Sequence, residues 1–136
     1  MATRLLIADD DPNIRLLLRR LLERYGWEIC AECEDGCEAV AKTMELRPDA
    51  VILDLAMPKM TGLQAAQHIL QGSPQMSILL LSVQPISKQL ERAAREIGFR
   101  GAVSKGNGRE VVGAIEALLR GRDFFVVDQI TSASFA

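Results

Sequence analysis

The amino-acid sequence predicts an α/β fold in which helices cover both faces of a parallel sheet. Short apolar runs recur along the chain and alternate with segments whose apolar residues repeat at helical spacing. A run that is apolar at every position is typical of a strand buried on both faces of a parallel sheet. Because strands and helices alternate, each connection crosses over the sheet and covers it. We therefore expect a doubly wound sheet of five strand–helix units.

Five segments supply the predicted strands. Four are apolar almost throughout, whereas the second alternates apolar with polar residues, as expected of a strand at the edge of the sheet. In that second segment the residues expected to share one face are Trp27, Ile29, Ala31 and Cys33. The predicted strands cover residues 5–8, 27–33, 50–53, 76–81 and 99–104.

The predicted helices begin at residues that can cap them. Asp11 suits an N-cap and Pro12 suits the first helical position. Capping pairs precede three other helices: Asp35 with Glu38, Thr61 with Gln64, and Asn107 with Glu110. In the first helix the apolar stripe expected to face the core is Ile14, Leu17, Leu18, Leu21, Leu22 and Tyr25. Its solvated side is expected to comprise Arg15, Arg19, Arg20 and Arg24.

Composition and domain organisation agree with one globular unit. Residues 1–121 form the predicted domain, and residues 122–136 form a linker or tail that we expect to dock only in part. The net charge of −2 gives no reason to expect nucleic-acid or membrane binding. No apolar run approaches the ~20 residues of a membrane span, and the N-terminal residues lack a signal-peptide pattern. We therefore expect a cytoplasmic protein.

Polar residues follow the predicted strands at the points where those strands end. Asp9 and Asp10 follow the first, Asp54 the third, Ser82 the fourth, and Lys105 the fifth. These ends lie along one edge of a parallel sheet, where open α/β sheets place their ligand sites. Three carboxylates about 5 Å apart would repel by roughly 3 kcal/mol per pair at an effective dielectric near 20. A cation would relieve that repulsion, and carboxylate oxygens with waters are typical Mg²⁺ ligands.

The same groups are suited to phosphoryl transfer. Such a reaction needs little from a protein beyond positioning and charge stabilisation. Mg²⁺ and Lys105 would neutralise phosphoryl oxygens, and Ser82 would donate a hydrogen bond to one of them. Asp54 is then the natural nucleophile.

The chain resembles the receiver domain of two-component response regulators over about residues 4–121. The resemblance lies in Asp9-Asp10, Asp54 with Met57-Pro58 and Gly62, Ser82, and the segment 101–105 that ends on Lys105. It implies a flavodoxin-like (βα)5 fold with strand order 2-1-3-4-5. It also implies that Asp54 accepts a phosphoryl group from a sensor histidine kinase or a phosphotransfer protein. Asp9, Asp10, Asp54 and the backbone carbonyl of Ala56 would bind Mg²⁺, while Ser82 and Lys105 would contact the phosphate.

The resemblance extends to an output. The last helix, Gly121 and Phe124-Phe125 are similar to the subfamily that continues into a helix-turn-helix DNA-binding domain. Transcriptional control is thus expected of a full-length protein, with no direct nucleic-acid binding by this domain. Phosphorylation is expected to change the partners or the self-association, including homodimer formation, of the face built from the fourth helix, fifth strand and fifth helix.

Three residues depart from the family pattern. Ala102 replaces the usual aromatic residue that couples phosphorylation to output, and Phe99 is a poor substitute because it lies at the other end of the strand. Ala56 has no side chain to position an attacking water. Val83 is β-branched where small residues are common, which would narrow access to the phosphate. The last two departures predict slow loss of phosphate.

Other functions have weaker support in the sequence. A phosphohydrolase with an aspartyl-phosphate intermediate would need an acid two residues after Asp54, where Ala56 stands. A pseudo-receiver that serves only for docking would not need these acids and Lys105. The cluster of Cys30, Cys33 and Cys37 lacks a fourth zinc ligand, because the only histidine, His68, belongs to a distant helix. The protein is therefore predicted to be a phosphoacceptor that catalyses at most its own phosphorylation and dephosphorylation.

Overall fold

The computed structural model describes residues 2–127, and its centre is a six-stranded parallel sheet in the order β2-β1-β3-β4-β5-β6. The strands are β1 (Arg4–Ala8), β2 (Glu28–Cys33), β3 (Ala50–Asp54), β4 (Ser77–Ser82), β5 (Gly101–Ser104) and β6 (Phe124–Phe125). The helices are α1 (Pro12–Glu23), α2 (Gly36–Leu46), α3 (Gly62–Gly72), α4 (Lys88–Ile97) and α5 (Gly108–Leu119). The predicted fold class and the order 2-1-3-4-5 are confirmed, and a sixth strand extends the sheet.

The helix starts follow the predicted caps. Asp11 accepts a hydrogen bond from the Asn13 amide, and Asp35 accepts one from the Glu38 amide. Thr61 and Gln64 form both hydrogen bonds of a capping box. These side chains satisfy amides that have no partner within the first helical turn. Local sequence therefore sets where these helices begin.

The sheet separates two apolar cores, and successive strand residues alternate between them. One core packs β-strand residues such as Leu6, Leu53 and Leu80 against α2, α3 and α4. The other packs Ile7 and Ile52 against α1 and α5. All five residues of β3 are buried, so the central strand has the two-sided burial that its apolar sequence predicts. Within the described residues no helix combines the length and apolarity needed to cross a bilayer.

The predicted alternation in β2 is wrong. The register between β1 and β2 shifts after Leu5, so that Leu5 pairs with Ile29 and Leu6 pairs with Ala31. This irregularity places Cys30 outside the pairing, as in a β-bulge. As a result Ile29 packs in the core under α1 and α5, whereas Ala31 packs in the opposite core. Strict period-two patterning cannot anticipate an inserted residue.

The predicted apolar stripe of α1 is only partly buried. Leu18 and Leu22 face the core, but Leu17 is 61% exposed and Tyr25 is 54% exposed. Tyr25 lies beyond the helix end and stacks on Trp27 with ring centroids 5.5 Å apart. Helix α1 contacts β1, β2 and α5. The predicted apolar stripe of α1 is wider than the surface that these three elements present to it, so Leu17 remains accessible to solvent.

Strand β6 adds a parallel edge to β5, beyond the predicted domain boundary at residue 121. Phe124 pairs with Gly101 and Phe125 pairs with Ala102. The two rings lie on opposite faces of the sheet, one in each core. Residues 122–127 are thus docked, as expected in part; the rest of the predicted tail lies outside the described residues, and the boundary itself stays a prediction.

Gly62 allows the start of α3 to approach the end of β3. Its amide donates a hydrogen bond to the Leu55 carbonyl at 2.9 Å. A Cβ atom at residue 62 would lie 2.3 Å from the carbonyl oxygen of Asp54, closer than real Cβ contacts allow. The obstacle is backbone, so it cannot rotate away. Glycine is therefore required at residue 62, where the start of α3 packs against the backbone of Asp54.

We predict that Gly62→Ala lowers the free energy of unfolding by about 1–3 kcal/mol, because overpacking must displace backbone. Urea unfolding followed by circular dichroism measures this change. Gly113→Ala in α5 is the matched control, since its Cβ would meet the Phe124 ring at an ordinary 3.5 Å. That control should be neutral or stabilising by up to about 1 kcal/mol. Equal effects of the two substitutions would contradict the explanation.

Candidate functional site

Four of the predicted site residues meet at the carboxyl edge of the sheet. One carboxylate oxygen from each of Asp9, Asp10 and Asp54 lies within 4.8 Å of the others. The Nζ atom of Lys105 is 2.7 Å from Asp9 Oδ2 and 3.0 Å from Asp54 Oδ1. No other group of three or more potential metal ligands occurs among residues 2–127, so the three cysteines form no such site there.

Two of the three acids are buried in the protein, and the third is exposed to solvent. Asp9 is fully buried and Asp54 is 2% exposed, whereas Asp10 is exposed to solvent. The side chain of Lys105 is 11% exposed. The site can therefore be reached from the side on which Asp10 lies.

Backbone hydrogen bonds between neighbouring elements fix the strand ends. The amide of Asp9 donates to the Cys33 carbonyl at 2.9 Å, and the amide of Leu55 donates to the Leu81 carbonyl at 2.8 Å. The amide of Lys105 donates to the Ser82 carbonyl, also at 2.9 Å. The position of each functional side chain thus follows from the register of the sheet.

The buried hydroxyl and the backbone next to Asp54 complete the predicted set. Ser82 is 2% exposed, and its Oγ accepts a hydrogen bond from the Gln84 amide at 3.1 Å. The amide of Ala56 is 3.4 Å from Asp54 Oδ1 and donates a weak hydrogen bond to it. Val83 is 72% exposed. Ser82 lies on β4 between β3 and β5, which carry Asp54 and lead to Lys105.

Burial raises the pKa of Asp54 from its ordinary 3.8 to about 6. The hydrogen bond from Lys105 lowers this pKa, but the charge of Asp9 raises it further. Lys105 itself has a raised pKa, because its close contacts with the carboxylates of Asp9 and Asp54 together outweigh the effect of its burial. These two pKa shifts are consistent. Two carboxylates stabilise the charged form of Lys105, whereas the Lys105 ammonium divides its contacts between Asp54 and Asp9 and so stabilises the Asp54 carboxylate less.

The arrangement has the properties of a cation site. Three ionised carboxylates and one ammonium leave a net charge of −2 at the sheet edge. Asp9 Oδ2 is buried and forms an ion pair with Lys105 Nζ at 2.7 Å, but no hydrogen bond of good geometry reaches it. Buried polar atoms are normally satisfied, so such an atom needs an explanation. The donor set, all carboxylate oxygens, suits a hard metal ion.

Two features near the site were not anticipated from the sequence. Arg15, expected on the solvated side of α1, has a side chain only 15% exposed and donates to the Asp9 carbonyl oxygen. Ala102, which replaces the usual aromatic residue of the family, is fully buried and pairs with Phe125 of β6. The residue pattern within one helix or strand cannot reveal either contact, because each depends on a neighbouring element.

We predict that Asp54→Asn raises the free energy of unfolding at pH 7.5 by about 1–3 kcal/mol when no divalent cation is present. The folded state binds the Asp54 proton more tightly than the unfolded chain does. This carboxyl's contribution to stability therefore decreases as pH rises from about 4 to about 6 and stays low above that range.

Urea unfolding of both proteins in a chelator at several pH values tests this prediction. The gain from Asp54→Asn should shrink towards pH 4, where the wild-type carboxyl is protonated. Glu116→Gln, on the exposed face of α5, should change stability by less than about 0.5 kcal/mol at any of these pH values. A variant no more stable than wild type at pH 7.5 would contradict the electrostatic account.

Comparison with known proteins agrees with this geometry. Residues 5–116 match the sequence profile described as the response regulator receiver domain. The chemotaxis protein CheY of Thermotoga maritima is 38% identical over 82 residues, which cover 60% of this chain and 68% of that protein. The Bordetella pertussis virulence factors putative positive transcription regulator BvgA is 32% identical over 126 residues. That match covers 92% of this chain and 60% of BvgA.

Solved structures share the fold over almost the whole chain. A two-component response regulator of the LuxR family from Aurantimonas sp. is 34% identical, with a TM-score of 0.88, and the match covers 97% of this chain and 94% of that one. The isolated REC domain of RcsB from Salmonella enterica, determined in the presence of the phosphomimetic BeF3-, is 25% identical with a TM-score of 0.83. That match covers 93% of this chain and 94% of the RcsB chain. The protein belongs to the response regulator receiver domain family, and is a phosphoacceptor signalling module of two-component regulation, not a conventional enzyme.

Proposed function

We propose that Asp54 is the residue that accepts the phosphoryl group, with Mg²⁺ as the metal ion. The observation that carries the proposal is the position of Asp54: a nearly buried carboxylate beside two other acids, 3.0 Å from Lys105 Nζ. Asp9, Asp10, Asp54 and the backbone carbonyl of Ala56 would bind the ion. When bound, Mg²⁺ supplies charge neutralisation for the acids and for phosphoryl oxygens.

Asp54 is better suited than its neighbours to act as the nucleophile. Asp9 is engaged at both oxygens, because Oδ1 accepts from the Asp11 amide at 2.9 Å and Oδ2 lies against Lys105. Asp54 contacts Lys105 and the Ala56 amide through Oδ1. Its Oδ2 takes part in neither contact and is the oxygen we assign to attack. Asp10, which is exposed, lacks the desolvation that activates a carboxylate.

The reaction is a transfer between two side chains. Asp54 Oδ2 forms a bond to phosphorus while the P–N bond of a partner's phosphohistidine breaks, and the imidazole leaves. Lys105 Nζ, already beside Asp54, is placed to pair with a phosphoryl oxygen. The Ser82 hydroxyl accepts from the Gln84 amide and keeps its own proton to donate to the phosphate.

The phosphodonor is a sensor histidine kinase or a phosphotransfer protein. Supporting this proposal, an apolar groove between α1 and α5 borders the acidic site at Lys105. The residues that line it are Ile14, Leu17, Leu18, Leu21, Lys105, Gly108 and Val111. The exposed Leu17 gives a partner an apolar contact next to the reacting groups. A partner helix that presents phosphohistidine could dock there, and we place this exchange in the cytoplasm.

The output that we propose is transcriptional control through an attached DNA-binding domain. This part rests on similarity to BvgA, of which the chain spans 60%, and to the LuxR-family regulator. Phosphorylation would act on the face formed by α4, β5 and α5, with a change of partner or homodimer formation as its readout. Phe125 packs beside Ala102 on this face, with the Arg95 guanidinium carbon 3.9 Å from its ring centroid. This ring is therefore a better substitute for the missing aromatic than Phe99.

We predict that the wild-type protein gains the mass of one phosphoryl group after incubation with Mg²⁺ and acetyl phosphate, and that Asp54→Ala gains none. Of the three clustered acids, Asp54 is the one that is both nearly buried and left with an oxygen outside the contacts with Lys105 and Ala56. Intact mass spectrometry under mildly acidic conditions measures the adduct. A chelator should abolish labelling of the wild type. Equal labelling of both proteins would reject Asp54 as the acceptor.

We predict that the phosphorylated protein loses its phosphate slowly, because Ala56 cannot orient a water and Val83 lies next to Ser82. Ala56→Asn and Val83→Ala should each speed this loss severalfold. The measurement is the decay of the phosphorylated fraction in intact mass spectra after the donor is removed. Asp54→Ala treated in parallel supplies the background. Unchanged decay in both variants would remove the explanation.

A further inference from the structure

Helix α1 directs one of its arginines towards the acidic site. The Nη1 atom of Arg15 donates a hydrogen bond to the carbonyl oxygen of Asp9 at 2.5 Å. The side chain is largely buried, unlike that of Arg20, which is exposed on the same helix. A largely buried guanidinium that donates to a backbone carbonyl beside a cluster of acids has a more specific arrangement than a solvated surface charge.

The carbonyl that Arg15 binds belongs to the peptide bond between Asp9 and Asp10. Fixing its oxygen fixes the plane of that peptide and so the direction in which Asp10 leaves the backbone. Asp9 is also constrained by its amide, which donates to the Cys33 carbonyl, and by Oδ1, which accepts from the Asp11 amide. Asp10 is exposed, so packing contributes little to the placement of its carboxylate.

Glu32 of β2 in turn orients Arg15. Its Oε1 atom lies 3.4 Å from Arg15 Nε, and its Oε2 atom accepts from Arg19 Nε at 2.5 Å. Glu32 pairs in register with Ile7 of β1, two residues before Asp9. The end of β2 therefore supports the Asp9–Asp10 turn twice, through the Cys33 carbonyl and through the Glu32–Arg15 contact.

We infer that Arg15, oriented by Glu32, is a positioning residue that presents Asp10 to the metal ion. The inference rests on the proposed metal site and deepens it, because it names a residue that the acid cluster needs but that binds neither metal nor phosphate.

Charge and position make opposite predictions for the loss of Arg15. If the guanidinium acted only through its charge, its removal would make the site more negative, and a cation would bind more tightly. If Arg15 orients the Asp9–Asp10 peptide, its removal leaves Asp10 free to turn away, and the cation binds more weakly. The sign of the change in affinity therefore separates the two roles.

The test is isothermal titration of Mg²⁺ alone into wild type, Arg15→Ala and Arg20→Ala. Arg15→Ala should weaken binding about tenfold, the size typical for groups that orient metal ligands. Arg20→Ala, which removes the same charge from an exposed position of α1, should stay within about twofold of wild type. Glu32→Gln keeps Arg15 but weakens its anchor, so it should cause a smaller loss in the same direction. Urea unfolding confirms that each variant is folded under these conditions.

A second measurement separates positioning from general damage. In labelling with acetyl phosphate, Arg15→Ala should need more Mg²⁺ for half-maximal rate, yet approach the wild-type rate at saturating Mg²⁺. Tighter or unchanged Mg²⁺ binding by folded Arg15→Ala, or a rate that saturating Mg²⁺ does not restore, would overturn the inference. Wild type that binds no Mg²⁺ would instead reject the proposed metal site itself, and the inference with it.

Discussion

The structure of the site depends on one shared ammonium group. Lys105 places its Nζ atom between two buried carboxylates, 2.7 Å from Asp9 and 3.0 Å from Asp54. Burial of the Asp54 carboxyl, together with the charge of Asp9, outweighs the effect of this one ammonium and raises the pKa of Asp54 to about 6. The folded protein thus carries uncompensated negative charge at the carboxyl edge of its sheet. The repulsion among these carboxylates lowers the free energy of unfolding, and a divalent cation, alone or with a phosphoryl group, can relieve that repulsion.

The remainder of the fold maintains this unfavourable cluster. Two apolar cores on either side of the sheet supply the stability. Sheet register then delivers the acids and Lys105 to one edge, with the strand-end amides bonded to neighbouring carbonyls. Gly62 lets α3 begin directly against the Asp54 backbone, which a larger residue would push aside. Regular packing elsewhere therefore supports a strained charge distribution where the chemistry takes place.

The outer edge of β5 differs from the family pattern, because Ala102 stands where the family usually has an aromatic residue. Ala102 has no ring, and Phe125 of β6 pairs with it and packs against the same apolar core. Asp123 strengthens this docking through its ion pair with Arg100 at 2.7 Å, while Arg95 covers the Phe125 ring. Strand β5 consequently contacts the acidic site at its carboxyl end and the C-terminal segment along its outer edge. A movement of β5 would therefore change the contacts of both the acidic site and the C-terminal segment.

Sequence patterns alone predict the α/β class, the helix caps and the meeting of the acids with Lys105, because all three follow from apolar periodicity and from where strands end. Packing between elements, in contrast, decided which core each β2 residue enters, since one inserted residue at Cys30 reverses the alternation. It also decided that Leu17 stays exposed, that Arg15 turns inward to Asp9, and that Phe125 packs beside Ala102. Periodicity is a local signal that shows only that a face is buried, whereas a contact between distant elements depends on which surface is available to receive it.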